Sequence, residues 1–367
     1  MQDLVVIVLS GGAGSRLWPA SRPDRPKPLL ALAQPGASLL RSTVERFAPL
    51  GPVRVRCAPH HAPAIAAELP GVPIDVEPLP RGTGPAIGDV ARASPADTLV
   101  LVTPADHHVE RPDVLLDAIR AALPAARAGR VVTFGIVPTR PATEYGWIEV
   151  GPPLGDGVHH IASFVEKPPA DRAAELLAAG HLWNAGLFLF RAGALVDELE
   201  RWCPGSPAGS FDVQVMQRTD RGAVVPVDCG WSDLGTWTAV ASSGRSDPPA
   251  SFTWTDGPTV QVLGVPDVWV VASAGGVLVT TAAHAHTAGS ITATVCGTVD
   301  HGPGWSVHRS TLAAGEAVEI GPLDRATVVA GAGRGAQLPS GRFVAEGPCV
   351  LVVVRLTPVP AAATGGG

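Results

Sequence analysis

The sequence predicts an α/β fold on a mixed, mainly parallel sheet with helices on both faces, followed by a smaller all-β domain. Two runs carry the first half of this reading. Residues 4–9 (LVVIVL) and 98–103 (TLVLVT) are apolar without interruption, as strands covered on both faces are. Between and after them, short apolar runs alternate with helix-period segments up to about residue 240, the pattern of repeated βα units. From residue 252 the helical period is lost and short β-rich runs recur instead, which predicts an all-β domain.

Taken in order, residues 38–47 (SLLRSTVERF) read as an amphipathic helix, 53–57 as a strand, 62–69 as a helix and 72–77 as a strand. Residues 77–84 form a Pro- and Gly-rich loop, and Pro85 suits the first turn of the helix that follows. Helices are expected over 113–128 and 171–179, and strands over 131–136 and 182–190. In the second half the β-rich runs are 259–263, 268–272, 276–281, 290–295, 326–329 and 349–355. The expected domains are 1–243, a linker at 244–251, a β-rich domain at 252–358 and a disordered tail at 359–367.

Composition narrows the function classes. The chain has 367 residues, 46% of them hydrophobic and 16% charged, ample for a packed core. A formal net charge of −6 argues against a general nucleic-acid partner, whose usual footprint is a basic surface. No apolar stretch reaches membrane-spanning length without breakers. Five scattered cysteines without CxxC pairing fit reduced thiols. The first apolar run is too short and lacks the basic start of a signal peptide, so the cytoplasm is the expected location.

The chemistry begins at residues 10–30, SGGAGSRLWPASRPDRPKPLL. Gly11, Gly12 and Gly14 let the backbone come close to a ligand and turn N–H groups toward phosphate oxygens. Arg16 and Lys27 add positive charge on a segment that Pro19, Pro23, Pro26 and Pro28 keep from becoming a continuous helix. This reads as a grip for a triphosphate. It is neither a P-loop, which needs Lys followed by Ser or Thr after its second glycine, nor a dinucleotide fingerprint, whose third glycine is Leu17 here.

The segment closely resembles the signature of sugar-1-phosphate nucleotidylyltransferases, and its LWPxSR variant is similar to the mannose-1-phosphate guanylyltransferase branch. Further motifs follow in that family's order: PADH at 104–107, YGW at 145–147, FVEKP at 164–168, LWNAGLFLF at 182–190 and GWSDLGTW at 230–237. The resemblance implies a Rossmann-like nucleotidyltransferase domain and transfer of a nucleotidyl group to a sugar 1-phosphate, with GTP and mannose 1-phosphate as the expected pair. It implies a nucleotide site at Leu9, Gly11, Gly12, Gly14, Arg16, Lys27, Arg81, Thr83 and Asp106. It implies a sugar-phosphate site at Tyr145, Gly146, Glu166, Lys167 and Asn184. It also implies Mg²⁺ on Asp106 and Asp233, hard oxygen donors of the kind that cation takes. Arg16, Lys27, Asp106 and Asp233 are then the catalytic set. Adjacent His107 and His108 point in different directions and have no soft third ligand nearby, so zinc is not expected.

Departures keep alternatives open. The loop that usually reads Arg-Asn-Thr is Arg81-Gly82-Thr83, and Gln217 replaces a Glu in SFDVQVMQ. Only residues 194–207 stand where the family usually has a long helical insertion. The same chemistry with another base or sugar, or a catalytically silent regulatory homologue, are therefore the other readings. The last domain resembles a β-helical extension with a degenerate cupin-like end. His284, His286, His301 and His308 are spaced too irregularly for a metal-dependent isomerase. A homodimer is the assembly that the family and the exposed β edges suggest.

Overall fold

The computed structural model describes residues 4–11, 14–34, 36–79, 81–243, 245, 247–257, 260–262, 265–285 and 288, with the strands between residues 297 and 356 as backbone. The chain divides into two compact units. One comprises residues 1–12 and 31–233, the other residues 13–30 and 234–367.

The first unit is laid on a nine-stranded sheet. Its strands are β1 (Leu4–Ser10), β2 (Val53–Cys57), β3 (Ile74–Val76), β4 (Leu99–Pro104), β6 (Val131–Ile136), β7 (Gly146–Gly155), β8 (Val158–Glu166), β9 (Leu182–Arg191) and β10 (Gly222–Val227). A separate two-residue strand, β5 (His108–Val109), follows β4. The order across the sheet is β3-β2-β1-β4-β9-β6-β10-β8-β7. The sheet is mixed rather than mainly parallel: among the described strands, four pairings are parallel and five antiparallel. The cause is β9. It returns from the β7–β8 hairpin and inserts antiparallel between β4 and β6, where strict βα alternation would have put a parallel strand.

The helices are α1 (Leu39–Phe47), α2 (Ala62–Glu68), α3 (Thr83–Ala93), α4 (Pro112–Arg127), α5 (Ala170–Ala178) and α6 (Ala192–Trp202). Ser38 caps α1, its Oγ accepting from Arg41 N at 3.0 Å, the expected use of serine there. Helix α6 has no counterpart among the sequence expectations, although Ala194, Leu195 and Leu199 bury one face of it. On one side of the sheet Ile7, Val100, Val102, Phe188 and Phe190 pack with Ile87, Val90 and Ala91 of α3, Leu195 and Leu199 of α6, and Phe211, Val215 and Met216. The intervening strand residues, Val6, Val8, Leu101 and Leu189, are equally buried and face the other way by the two-residue period. Both faces are therefore covered.

In the second unit, α7 (Trp237–Ala241) precedes β12 (Phe252–Asp256), β13 (Trp269–Ser273) and β14 (Gly276–Thr280). β12 runs parallel to β13, and β13 antiparallel to β14. Strand β12 is not among the β-rich runs expected from the sequence. Residues 260–262, within the run 259–263 expected as a strand, have no regular structure. Beyond lie β15 (Gly297–Gly302), β16 (Trp305–Leu312), β17 (Ala317–Ile320), β18 (Arg325–Gly331), β19 (Gln337–Leu338), β20 (Gly341–Val344) and β21 (Cys349–Leu356). Five of these form the sheet β15-β16-β21-β18-β19. Gly12, the run 290–295 and the tail 359–367 lie outside the described residues.

Candidate active site

Strand β4 delivers the first carboxylate. Past its end, Ala105 N–H donates to the Leu9 carbonyl at 3.0 Å, so β1 and β4 stay joined up to Asp106 and the Leu9 carbonyl is already engaged. The chain then forms β5, which pairs antiparallel with β11 (Trp231–Ser232) in the register Ser232↔His108. Asp233 lies one residue past Ser232 and Asp106 two residues before His108. The two carboxylates expected to share a cation thus sit at the same end of one small ribbon. Trp231 Nε1 donates to His107 Nδ1 at 3.2 Å and fixes that end. Both aspartates offer hard oxygen donors, which suits Mg²⁺. Among the described residues no group of three or more His, Cys, Asp or Glu side chains is placed to hold a metal.

Tyr145 connects this ribbon to the β7–β8 hairpin. Its hydroxyl donates to Asp233 Oδ1 at 2.7 Å. Its ring meets Trp183 and Trp231 edge-on at 5.0 and 5.4 Å. The Arg140 guanidinium lies over the Tyr145 and Trp183 rings, 5.5 and 5.6 Å from their centroids, and also pairs with Glu144. Burial, and then the charge of Asp233, push the Tyr145 phenol upward, so it stays a hydrogen-bond donor across the working pH range. Sequence reasoning finds Tyr145 but not Arg140, Trp183 or Trp231, which share no local motif with it.

Across the hairpin Gly146 opposes Glu166. A Cβ at Gly146 would stand 2.8 Å from Glu166 Oε2 and 2.9 Å from Phe164 Cζ, so only glycine lets this carboxylate lie against the strand. Lys167 takes a left-handed backbone, φ +46°, uncommon for a residue with a side chain. That bend turns Nζ back to Glu166 Oε1 at 2.6 Å, whereas neighbours on a regular strand would face opposite ways.

Asn184 is buried on β9. Its Oδ1 accepts from Thr133 Oγ1 (2.7 Å) and Gly186 N–H (3.2 Å), and its Nδ2 donates to Asp212 Oδ1 (2.8 Å). The carbonyl end of the amide is thus engaged within the protein, and Asn184 works first as the support of Asp212. Burial, reinforced by the charge of Glu166, pushes the Asp212 carboxyl up to about 6, against the opposing pull of Lys167 and of the Asn184 bond. Sequence reasoning misses Asp212. It lies in view in SFDVQVMQ, a segment compared with the family only for its last residue.

At the start of α3, Arg81 is paired with Asp89 at 2.9 Å and Thr83, the first residue of the helix, accepts through Oγ1 from Phe211 N–H at 2.9 Å. Neither nucleotide-site expectation is a side chain without a protein partner.

The arm belongs to the second unit. Gly14 is left-handed, φ +60°, and a Cβ there would be 2.6 Å from Lys27 Cβ; the glycine lets the arm fold on itself. Lys27 is buried, whereas Arg16 is exposed. Trp237 Nε1 donates to the Trp18 carbonyl at 2.8 Å and Ser273 Oγ to the Pro19 carbonyl at 2.7 Å. Arg25 pairs with Asp256. The β-rich unit therefore anchors the arm, a role that its sequence does not suggest.

A family model described as nucleotidyl transferase matches residues 5–247. The chain belongs to the nucleotidyl transferase family. This nucleotidyl transferase is 36% identical over 289 residues to a mannose-1-phosphate guanylyltransferase of Salmonella muenchen, covering 68% of this chain and 61% of that one. It is 34% identical over 339 residues to a mannose-1-phosphate guanylyltransferase of Salmonella typhimurium, covering 75% and 70%. The chain thus spans about three fifths of the length of the first relative. Among solved structures it is similar to one described as mannose-1-phosphate geranyltransferase from Thermus thermophilus. The TM-score is 0.73 and the identity 32%, over 79% of this chain and 98% of that one.

Proposed function

We propose that this nucleotidyl transferase moves a guanylyl group from GTP to mannose 1-phosphate, giving GDP-mannose and pyrophosphate. The observation that carries the reading is the Asp106–Asp233 ribbon end, with Tyr145 bonded to Asp233, in a chain whose relatives bear the guanylyltransferase name. A phosphate oxygen of the sugar phosphate attacks the α-phosphorus of the triphosphate. The new P–O bond forms as the bond to the bridging oxygen breaks, and the electron pair leaves with pyrophosphate. The attacking group is already anionic, so positioning and charge neutralisation suffice without a strong base.

Arg16 and Lys27 neutralise the triphosphate and the departing pyrophosphate; Gly11, Gly12 and Gly14 supply backbone N–H groups. Asp106 and Asp233 would hold Mg²⁺, which when bound neutralises phosphate charge. Lys167, with its side chain 61% exposed, trades Glu166 for the sugar phosphate, and Glu166 is then released to accept from sugar hydroxyls. Gly146, Asn184 and Asp212 complete the sugar side. No helix among the described residues is long and apolar enough to cross a membrane; we place the reaction in the cytoplasm and take a homodimer as the assembly. The parallel β12–β13 pair supports a β-helix-like start to the β-rich domain.

A second reading keeps the chemistry and changes the base, and Gly82 in place of Asn is what favours it. Pyrophosphate release with Mg²⁺, crossing GTP, ATP, UTP, CTP and dTTP against mannose 1-phosphate and glucose 1-phosphate, decides. Turnover confined to GTP with mannose 1-phosphate is expected. Another productive pair moves the substrate, and silence across the grid from folded protein removes the reading.

A further inference from the structure

The loop over residues 81–84 is clamped by the segment that follows α6, residues 207–214. Gly209 N–H donates to the Arg81 carbonyl (2.9 Å) and Gly84 N–H to the Gly209 carbonyl (3.0 Å). Phe211 N–H donates to Thr83 Oγ1 (2.9 Å). The approach is close enough to require glycine. Gly82 is left-handed, φ +97°, and a Cβ there would meet the Gly209 carbonyl oxygen at 2.4 Å. The missing Asn therefore has a local cause, because no side chain fits at 82 against this segment.

Gln214 closes the clamp. It is 9% exposed, and its Nε2 donates to the Pro207 carbonyl at 2.8 Å. A Cβ at Gly84 would meet Gln214 Oε1 at 1.9 Å, and one at Gly209 would meet Nε2 at 2.6 Å. One amide thus fills the space between the two glycines that exchange the clamp's hydrogen bond. Two residues earlier, the same segment carries Asp212 to Asn184.

We propose that Gln214 is a positioning residue for the nucleotide loop at residues 81–84, acting through the clamp of Gly209, Phe211 and Gln214. This rests on the proposed assignment of that loop to the nucleotide. With the side chains of Arg81 and Thr83 engaged by Asp89 and Phe211, reading of a base by this loop would fall to those of its backbone groups that the clamp does not take. Backbone groups read a base only while their positions are fixed.

Two measurements on the full chain test it. Amide hydrogen exchange of Gln214→Ala should show residues 81–86 and 207–211 opening about fivefold faster, the equivalent of one ordinary hydrogen bond, with β4 and α4 still protected. In steady-state kinetics the same variant should raise the KM for GTP about fivefold, with kcat and the KM for mannose 1-phosphate within about twofold, a binding rather than a transition-state loss. Gly84→Ala should also raise the KM for GTP alone. Added to Gln214→Ala it should cost less than by itself, since the atom it strikes is gone. Unchanged exchange, additive effects, or both KM values and kcat moving together would overturn the proposal. If the wild type turns over no substrate pair, the reaction assignment falls; unchanged exchange would then still defeat the clamp, and faster exchange would uphold it.

Discussion

The Tyr145 hydroxyl lies 2.7 Å from Asp233 Oδ1 and donates to it, which joins the hairpin of Gly146, Glu166 and Lys167 to the ribbon of Asp106. One phenol thus sets the orientation of a carboxylate proposed to hold a cation. Tyr145→Phe keeps the ring contacts and removes the donor. The loss is about 1 kcal/mol of stability, read as a lower urea midpoint. The Mg²⁺ concentration for half-maximal rate should change as well; an unaltered Mg²⁺ dependence would show that the bond is structural only.

Asp106→Asn and Asp233→Asn keep shape and remove charge. Each should lower turnover by about a thousandfold or more, the scale of losing a group that neutralises charge in the transition state. The urea midpoint should stay near the wild type. Near-normal turnover in either variant would sink the metal assignment.

Asp212 makes stability depend on pH in an unusual direction. Its carboxyl rises from 3.8 to about 6 on folding, so the folded chain holds that proton more tightly than the unfolded chain. Its contribution to stability is full below about pH 4, declines as pH rises to about 6, and is level above that. Asp212→Asn should flatten this decline in urea midpoints measured from pH 4 to 7. Carboxylates that are not coupled to Asp212 are common to both proteins and cancel in the difference; a difference that does not vary with pH would refute the shift.

The arm's anchorage can be loosened from the β-rich unit. A Cβ at Gly275 would lie 2.4 Å from the Pro19 carbonyl oxygen and 2.7 Å from Arg22 Cδ. Backbone cannot yield as a flexible side chain can, so Gly275→Ala should cost on the order of 1–3 kcal/mol and speed tryptic cleavage of the Arg16–Leu17 bond, the other basic residues of the arm being followed by proline. If the arm binds the triphosphate, the KM for GTP rises while the KM for mannose 1-phosphate does not. Equal rises in both would detach the arm from nucleotide binding.

The sequence by itself singled out the candidate residues for chemistry and determined much of the first sheet. Apolar runs dictated β1 and β4, because strands covered on both faces read as near-continuous hydrophobic runs. The glycines, Arg16, Lys27, Asp106, Glu166, Lys167 and Asp233 stood out because each sits in a short motif whose neighbours restrict its use. Only the tertiary structure decided what depends on non-local pairing. The antiparallel insertion of β9 leaves no trace in local periodicity, since a strand reads alike in either direction. Asp212 owes its raised pKa to burial and to Glu166, Tyr145 its partner to a residue 88 positions away, and Gly82 its necessity to the Gly209 carbonyl. The arm at 13–30 groups with residues beyond 234 because Trp237, Asp256 and Ser273 hold it. Such contacts are set by which surfaces meet once the chain has folded, and they have no period or spacing along the sequence.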